Sequence, residues 1–113
     1  MQATMLVFAR QRGDKSWSLR QRIGEDLGRD KHPELCVGWY KKAGRVRGWT
    51  SLQGRPGGPY GALKLEWDGK CGLLTVRAIS KRGQKPFELM GIFVEYLLTK
   101  QRAHIANITI PVG

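Results

Sequence analysis

The middle of this 113-residue chain has almost no acidic side chains. No Asp or Glu occurs between Glu34 and Glu66, and residues 35–87 contain 11 cations against 2 anions. The whole chain has a formal net charge of +11, so most of the positive excess lies in this one segment. A regional positive field attracts polyanionic partners such as nucleic acid.

Long apolar runs are also missing. The most apolar stretch, residues 87–98, contains Glu88, Gly91 and Glu95. It therefore falls short of the roughly 18 consecutive apolar residues of a membrane span. The N-terminus has a short apolar run with no basic segment before it, so we expect no secretory signal, no membrane partner and a cytoplasmic location.

Cysteine and histidine are scarce, with two of each in the chain. Cys36 and Cys71 have neither metal-ligand nor CxxC spacing, and we expect two reduced, partly buried thiols; a disulfide between them stays open. His32 and His104 lie on different predicted elements and lack HxH or HExxH spacing. No metal and no cofactor are therefore expected.

The length and the 41% hydrophobic content fit one domain, residues 1–113, with a single core. The apolar run 3–9 suits a buried strand. A helix is predicted from Ser16 or Ser18, either of which could cap it, through Gly28. Its apolar stripe has i, i+4, i+8 spacing. The stripe consists of Leu19, Ile23 and Leu27.

From Glu34 the hydrophobic period changes to two, which indicates strands. Residues 34–42 and 45–52 are predicted strands, joined by a tight turn at Ala43 and Gly44. Residues 61–67 and 73–79 form the clearest hairpin in the sequence. Its turn is placed at Asp68-Gly69, or is widened to include Lys70 and Cys71.

Pro86 suits the first turn of a helix that runs to about residue 103. Its apolar arc is wider than a surface helix needs, so we expect cover on more than one side and a homodimer. A last strand is predicted within residues 105–112. The fold class is α+β, a mainly antiparallel sheet of five to six strands with two helices on one face (order β-α-β-β-β-β-α-β).

The outer face of the predicted sheet is the first candidate site. Alternation along the strands places four cations and one tryptophan there, with Glu66 and Thr75. The five are Arg45, Arg47, Trp49, Lys64 and Arg77. Cations two apart on a strand stand about 6–7 Å apart, close to the phosphate spacing of an extended nucleic-acid strand. An exposed tryptophan would stack on a base. A merely solvated face stays open.

Two connections extend this candidate surface. Residues 80–85, with Lys81, Arg82 and Lys85, lead into a helix start whose backbone N–H groups favour an anion; an ordinary polar loop is the alternative. The glycine-rich segment 53–61 lacks the Lys-Ser/Thr and following helix of a phosphate-cradling loop. We expect it to be a constrained loop whose Arg55 and Tyr60 reach a partner.

The sequence thus favours a small basic protein that binds single-stranded RNA or DNA with weak sequence readout. If about five cations touch phosphates, the logarithm of affinity falls against the logarithm of salt concentration with a slope near −4. Two other functions stay open. One is a non-enzymatic interaction protein that binds an acidic partner or itself, and the other is a small metal-independent ribonuclease-type toxin.

No catalytic residue is assigned, and binding is favoured over catalysis. The sequence Asp68-Gly69-Lys70 resembles half of a metal-dependent nuclease site, but it fits a hairpin turn better. Glu88 and Glu95 could act as paired carboxylates. With Arg102 two turns further on, a surface charge ladder accounts for them more simply.

Overall fold

The structure is a computed structural model that describes residues 2–10, 17–29, 35–37, 49–54, 61–79 and 86–111. Six strands, two helices and one short 3₁₀ turn lie within these residues. In chain order they are β1 (Gln2–Ala9), α1 (Leu19–Arg29), β2 (Leu35–Val37), β3 (Trp49–Gly54), β4 (Ala62–Asp68), β5 (Leu73–Ile79), α2 (Pro86–Lys100), the 3₁₀ turn (Arg102–His104) and β6 (Ile105–Thr109).

The strands form one sheet in the order β2-β3-β4-β5-β1-β6. Each of the described strand pairs is antiparallel. The first strand of the chain therefore lies inside the sheet, between β5 and β6. The predicted α+β class, with an antiparallel sheet and two helices, is confirmed.

Both helices pack on the same face of this sheet, and they share one hydrophobic core with it. Met5, Leu65 and Val76 form a row across three strands and are fully buried. Phe93 of α2 and Ile23 of α1 are buried in the same cluster. Side chains alternate between the two faces of a strand, so every second residue points away from the helices.

Helix α1 begins where its sequence places a cap. The backbone N–H of Gln21 donates to Ser18 Oγ at 3.2 Å, which satisfies one of the unpaired donors of the first turn. Leu19, Ile23 and Leu27 are all buried, as their spacing predicts. The helix ends at Arg29, one residue beyond the predicted end.

The β4–β5 hairpin is closed by a turn at residues 69–72, shifted by one residue from the wider of the two predicted turns, residues 68–71. Asp68 Oδ1 accepts hydrogen bonds from the backbone N–H groups of Lys70 at 3.0 Å and Cys71 at 3.3 Å. Gly72 has φ +64°, a left-handed conformation that favours glycine. Cys71 is free and exposed in this turn, so its predicted partial burial is wrong.

Helix α2 buries a stripe that faces the sheet and α1, and it ends at Lys100 rather than near residue 103. A 3₁₀ turn occupies residues 102–104 and leads directly into β6. Phe87 and Leu98 remain about half exposed, so the sheet and α1 cover only part of the apolar arc. Whether a second copy covers the rest stays a prediction.

A partly buried hydrogen-bond network joins the two helices. The Tyr96 hydroxyl donates to Asp26 Oδ2 at 2.7 Å and accepts from Gln101 Nε2 at 3.0 Å. Tyr96 is 2% exposed and Gln101 is 5% exposed. Burial raises the pKa of the Tyr96 hydroxyl well above its usual value, and the hydrogen bond to Asp26 raises it further.

Two predicted strands are only partly described. Residues 38–48, which include the predicted Ala43-Gly44 turn, lie outside the described residues. The strand predicted at 45–52 is represented by Trp49–Gly54, and it extends two residues beyond its predicted end. The last strand ends at Thr109, three residues before the predicted boundary.

Candidate nucleic-acid interface

The sheet face opposite the helices carries the hairpin residues that alternation placed outside. In β4, Leu63 and Leu65 are fully buried, whereas Lys64 between them belongs to the other face. In β5, Val76 is buried and Arg77 is exposed. Four hairpin residues that were expected to face outward therefore lie on this face. They are Lys64, Glu66, Thr75 and Arg77.

Lys64 and Arg77 are direct neighbours on this outer face. They are Cα partners in the β4–β5 ladder, with Arg77 exposed and Lys64 partly buried. Directly opposite residues of an antiparallel pair have Cα atoms about 4.5–5.5 Å apart. The pair therefore places two cationic side chains next to each other on this face, where a phosphate group can contact both.

Polar residues continue this row on both sides. Ser51 is the partner of Lys64 in the neighbouring strand β3, and Thr4 is the partner of Arg77 in β1. The row therefore crosses four strands and spans about 14 Å, because adjacent strands lie about 4.8 Å apart. It contains two cations, two hydroxyl-bearing residues and no carboxylate.

The register places the attachment points of two cationic connections at the same end of the sheet. Ala62 at the start of β4 is the direct partner of Ile79 at the end of β5. Residues 55–60 enter the sheet beside Ala62, and residues 80–85 leave it after Ile79. These two connections contain Arg55, Lys81, Arg82 and Lys85 and no acidic residue. Their attachment points lie two residues from Lys64 and Arg77.

The carboxylates of the outer face lie toward the opposite end. Glu66 is exposed and shares its row with Trp49 of β3 and Thr75 of β5. Asp68 is further along β4, where its carboxylate accepts the turn hydrogen bonds. The described part of this face is therefore polarised along the strands, with the two cations near the Ala62–Ile79 end.

Most of the predicted site residues lie outside the described residues. They are Arg45, Arg47, Arg55, Tyr60, Lys81, Arg82 and Lys85. Trp49 begins β3 opposite Glu66, so it is in the acidic row and not beside Lys64. The chain segment with Arg45 and Arg47 thus joins β3 at the other end of the sheet from the 55–60 and 80–85 connections.

An aromatic cluster that sequence reasoning missed lies on the helix side of the sheet. Trp17 makes an edge-to-face contact with Trp67, with ring centroids 5.8 Å apart. His104 also packs against Trp17 in a tilted arrangement, with ring centroids 5.5 Å apart. These partly buried rings join the start of α1 to the 3₁₀ turn, 87 residues apart in the chain, so no local pattern could have predicted the contact.

Within the described residues, no group of three or more His, Cys, Asp or Glu side chains is placed to hold a metal ion. Neither α1 nor α2 combines the length and the apolar content that crossing a membrane requires.

Comparison of the chain with protein-family models, with curated protein sequences and with solved structures gives no significant match. Function is therefore inferred from the chain's own residues.

Proposed function

We propose that this protein binds single-stranded RNA or DNA, with weak sequence readout, at the Ala62–Ile79 end of its outer sheet face. The observation that carries this proposal is the cross-strand pair Lys64 and Arg77, which sits two residues from the attachment points of two cationic connections. Phosphate contacts supply affinity without reading sequence, which fits a site built from cations and hydroxyls.

In this arrangement Lys64 and Arg77 contact one phosphate, and the hydroxyl of Thr4 contacts a neighbouring phosphate or sugar. The cations at 55, 81, 82 and 85 extend the contact beyond the sheet end. The Arg45 and Arg47 segment and Trp49 serve the other end of the outer face. Base stacking comes from Trp49 at that end or from Tyr60 at the Ala62–Ile79 end. These residue roles are part of the proposal. The homodimer and the cytoplasmic location that the sequence predicts also belong to it.

The experiment measures binding of a fluorescein-labelled oligouridine by anisotropy at several salt concentrations. With about five phosphate contacts, the slope of log affinity against log salt is expected near −4. The double variant Lys64→Gln/Arg77→Gln should lower the magnitude of the slope by about 0.7, since both cations contact one phosphate and each single-strand phosphate contact contributes about 0.7.

A charge-matched control is available on the helix side. Arg22 of α1 and Lys100 of α2 are both exposed, and both belong to helices that pack on the opposite face. Arg22→Gln/Lys100→Gln removes the same two charges and should leave the slope unchanged. A slope near zero for the wild type, or equal losses in the two double variants, would refute a site on the outer face.

A further inference from the structure

A second candidate site lies between α2 and β6, the strand at one edge of the sheet. A groove of about 430 Å³ opens there, within the size range of ligand sites. Apolar side chains from both elements dominate its lining. They are Val94 and Leu98 of α2 with Ile105, Ile108 and Ile110 of β6 and its extension.

The groove has a cationic end. Arg10 and Arg102 both line it, and both are exposed. The backbone N–H of Arg10 donates to the carbonyl oxygen of His104 at 2.9 Å, and Arg102 begins the 3₁₀ turn that contains His104. Both arginines therefore belong to the end where this turn enters β6. Ile110 lies at the other end of the groove. It follows Ile105 by five residues, or about 17 Å at the roughly 3.3 Å rise per residue of a strand.

Strand β6 is the last strand in the sheet order, with β1 as its described neighbour. Its pairing with β1 has a bulge between Phe8 and Ala9, where Ile105 pairs with Ala9 and Asn107 with Phe8. Beyond the bulge, the paired residues of β6 are Asn107, Ile108 and Thr109, and the far edge of this segment has no described neighbour. An edge strand presents backbone donors and acceptors that another extended chain can pair with.

We propose that this groove binds an extended segment of a partner protein, with apolar side chains at alternate positions and a carboxylate at one end. The backbone of the segment pairs with β6 from Asn107, its apolar side chains enter the groove beside Val94 and Leu98, and its carboxylate meets Arg10 and Arg102. A second copy paired through its own β6 would bring no acidic side chain to these arginines, because residues 103–113 contain no Asp or Glu. No acidic residue is among the described residues that line the groove.

The probe is the labelled peptide acetyl-Thr-Val-Thr-Val-Thr-Glu-amide, whose two valines and glutamate share one strand face. Paired antiparallel to β6, it places the glutamate at the arginine end. A scrambled peptide with the order Val-Val-Thr-Thr-Thr-Glu keeps the composition and charge but loses the alternation. Anisotropy with the full chain should show saturable binding of the alternating peptide and at least tenfold weaker binding of the scrambled one.

Two matched pairs of variants locate the binding site. Leu98→Asp should abolish binding, whereas Thr99→Asp, an exposed position that does not line the groove, should retain it. Arg102→Glu should weaken binding about threefold to tenfold, and Lys100→Glu should not. Replacing the peptide's glutamate by lysine should restore binding to Arg102→Glu only.

Four results would overturn the proposal: equal affinity for the alternating and scrambled peptides, failure of the charge exchange, loss of peptide binding on adding oligouridine, or a dimer of the free chain that Leu98→Asp dissociates. The last result would assign the groove to a second copy. The proposal does not rest on the nucleic-acid site, because the two candidate sites lie on different faces and have separate readouts.

Discussion

Replacing Tyr96 by phenylalanine removes one hydroxyl from the interface between the helices and keeps the ring that packs with Phe93. Two hydrogen bonds are lost, the 2.7 Å bond donated to Asp26 and the 3.0 Å bond accepted from Gln101. A bond to a charged group contributes about 1.5–3 kcal/mol and a neutral one about 0.5–1.5 kcal/mol. We therefore expect Tyr96→Phe to lower the free energy of unfolding by about 2–4 kcal/mol.

Urea unfolding followed by tryptophan fluorescence measures this loss, and it is large against the roughly 5–15 kcal/mol stability of a small domain. Thr99→Val removes an exposed hydroxyl from the same helix and should change stability by less than about 0.5 kcal/mol. If Tyr96→Phe is as stable as the wild type, the network does not hold α1 against α2, and the reasoning is wrong.

The raised pKa of Tyr96 adds a pH test to the same variant. A group whose pKa is higher in the folded than in the unfolded chain contributes its full stabilisation below the unfolded pKa, which is near 10 for tyrosine. That contribution is lost progressively as pH rises above this value. The stability difference between wild type and Tyr96→Phe should therefore shrink by about 1.4 kcal/mol per pH unit above pH 10. A difference that is equal at pH 9 and pH 11 would contradict this assignment.

The remaining predictions concern two glycines, a helix cap and the undescribed cations. Gly61 has φ +139°, and a Cβ there would lie 2.7 Å from the carbonyl oxygen of Ile79, so Gly61→Ala should cost about 1–3 kcal/mol in urea unfolding. Gly24→Ala is its control, since a Cβ at that helical position meets nothing within 4 Å and should stabilise the protein by up to about 1 kcal/mol. Ser18→Ala should cost about 1 kcal/mol by removing the cap of α1, and Ser18→Asp should restore most of it; equal stability of all three chains would exclude the cap. Reversing the charges of Arg45 and Arg47 should weaken oligouridine binding and leave the melting temperature nearly unchanged, and a collapse of the fold would make these residues structural.

The local elements could be predicted because their signals lie within a few residues of each other. Alternation in the β4–β5 hairpin places Leu63 and Leu65 inside and Lys64 outside, and the Asp68 side chain provides the hydrogen bonds of the turn. The stripe of α1 and its serine cap were equally local. The end of α2 was missed, since the change to a 3₁₀ turn at Arg102 breaks no obvious pattern in the sequence.

Long-range placement could not be predicted in the same way. No short pattern indicates that β1 lies between β5 and β6, or that Tyr96 bonds to Asp26, 70 residues earlier. The candidate interface depends on both kinds of information. Alternation predicted that Lys64 and Arg77 face outward, but only the register shows that they are neighbours.

Photocrosslinking tests the central proposal most directly. The full chain is irradiated with an oligonucleotide that contains 4-thiouridine, and the crosslinked peptides are identified by mass spectrometry. We expect crosslinks in β4 and β5 near Lys64 and Arg77 and in the connections 55–60 and 80–85. Crosslinks that fall mainly on α1 and α2, on the opposite side of the sheet, would contradict a binding site on the outer face.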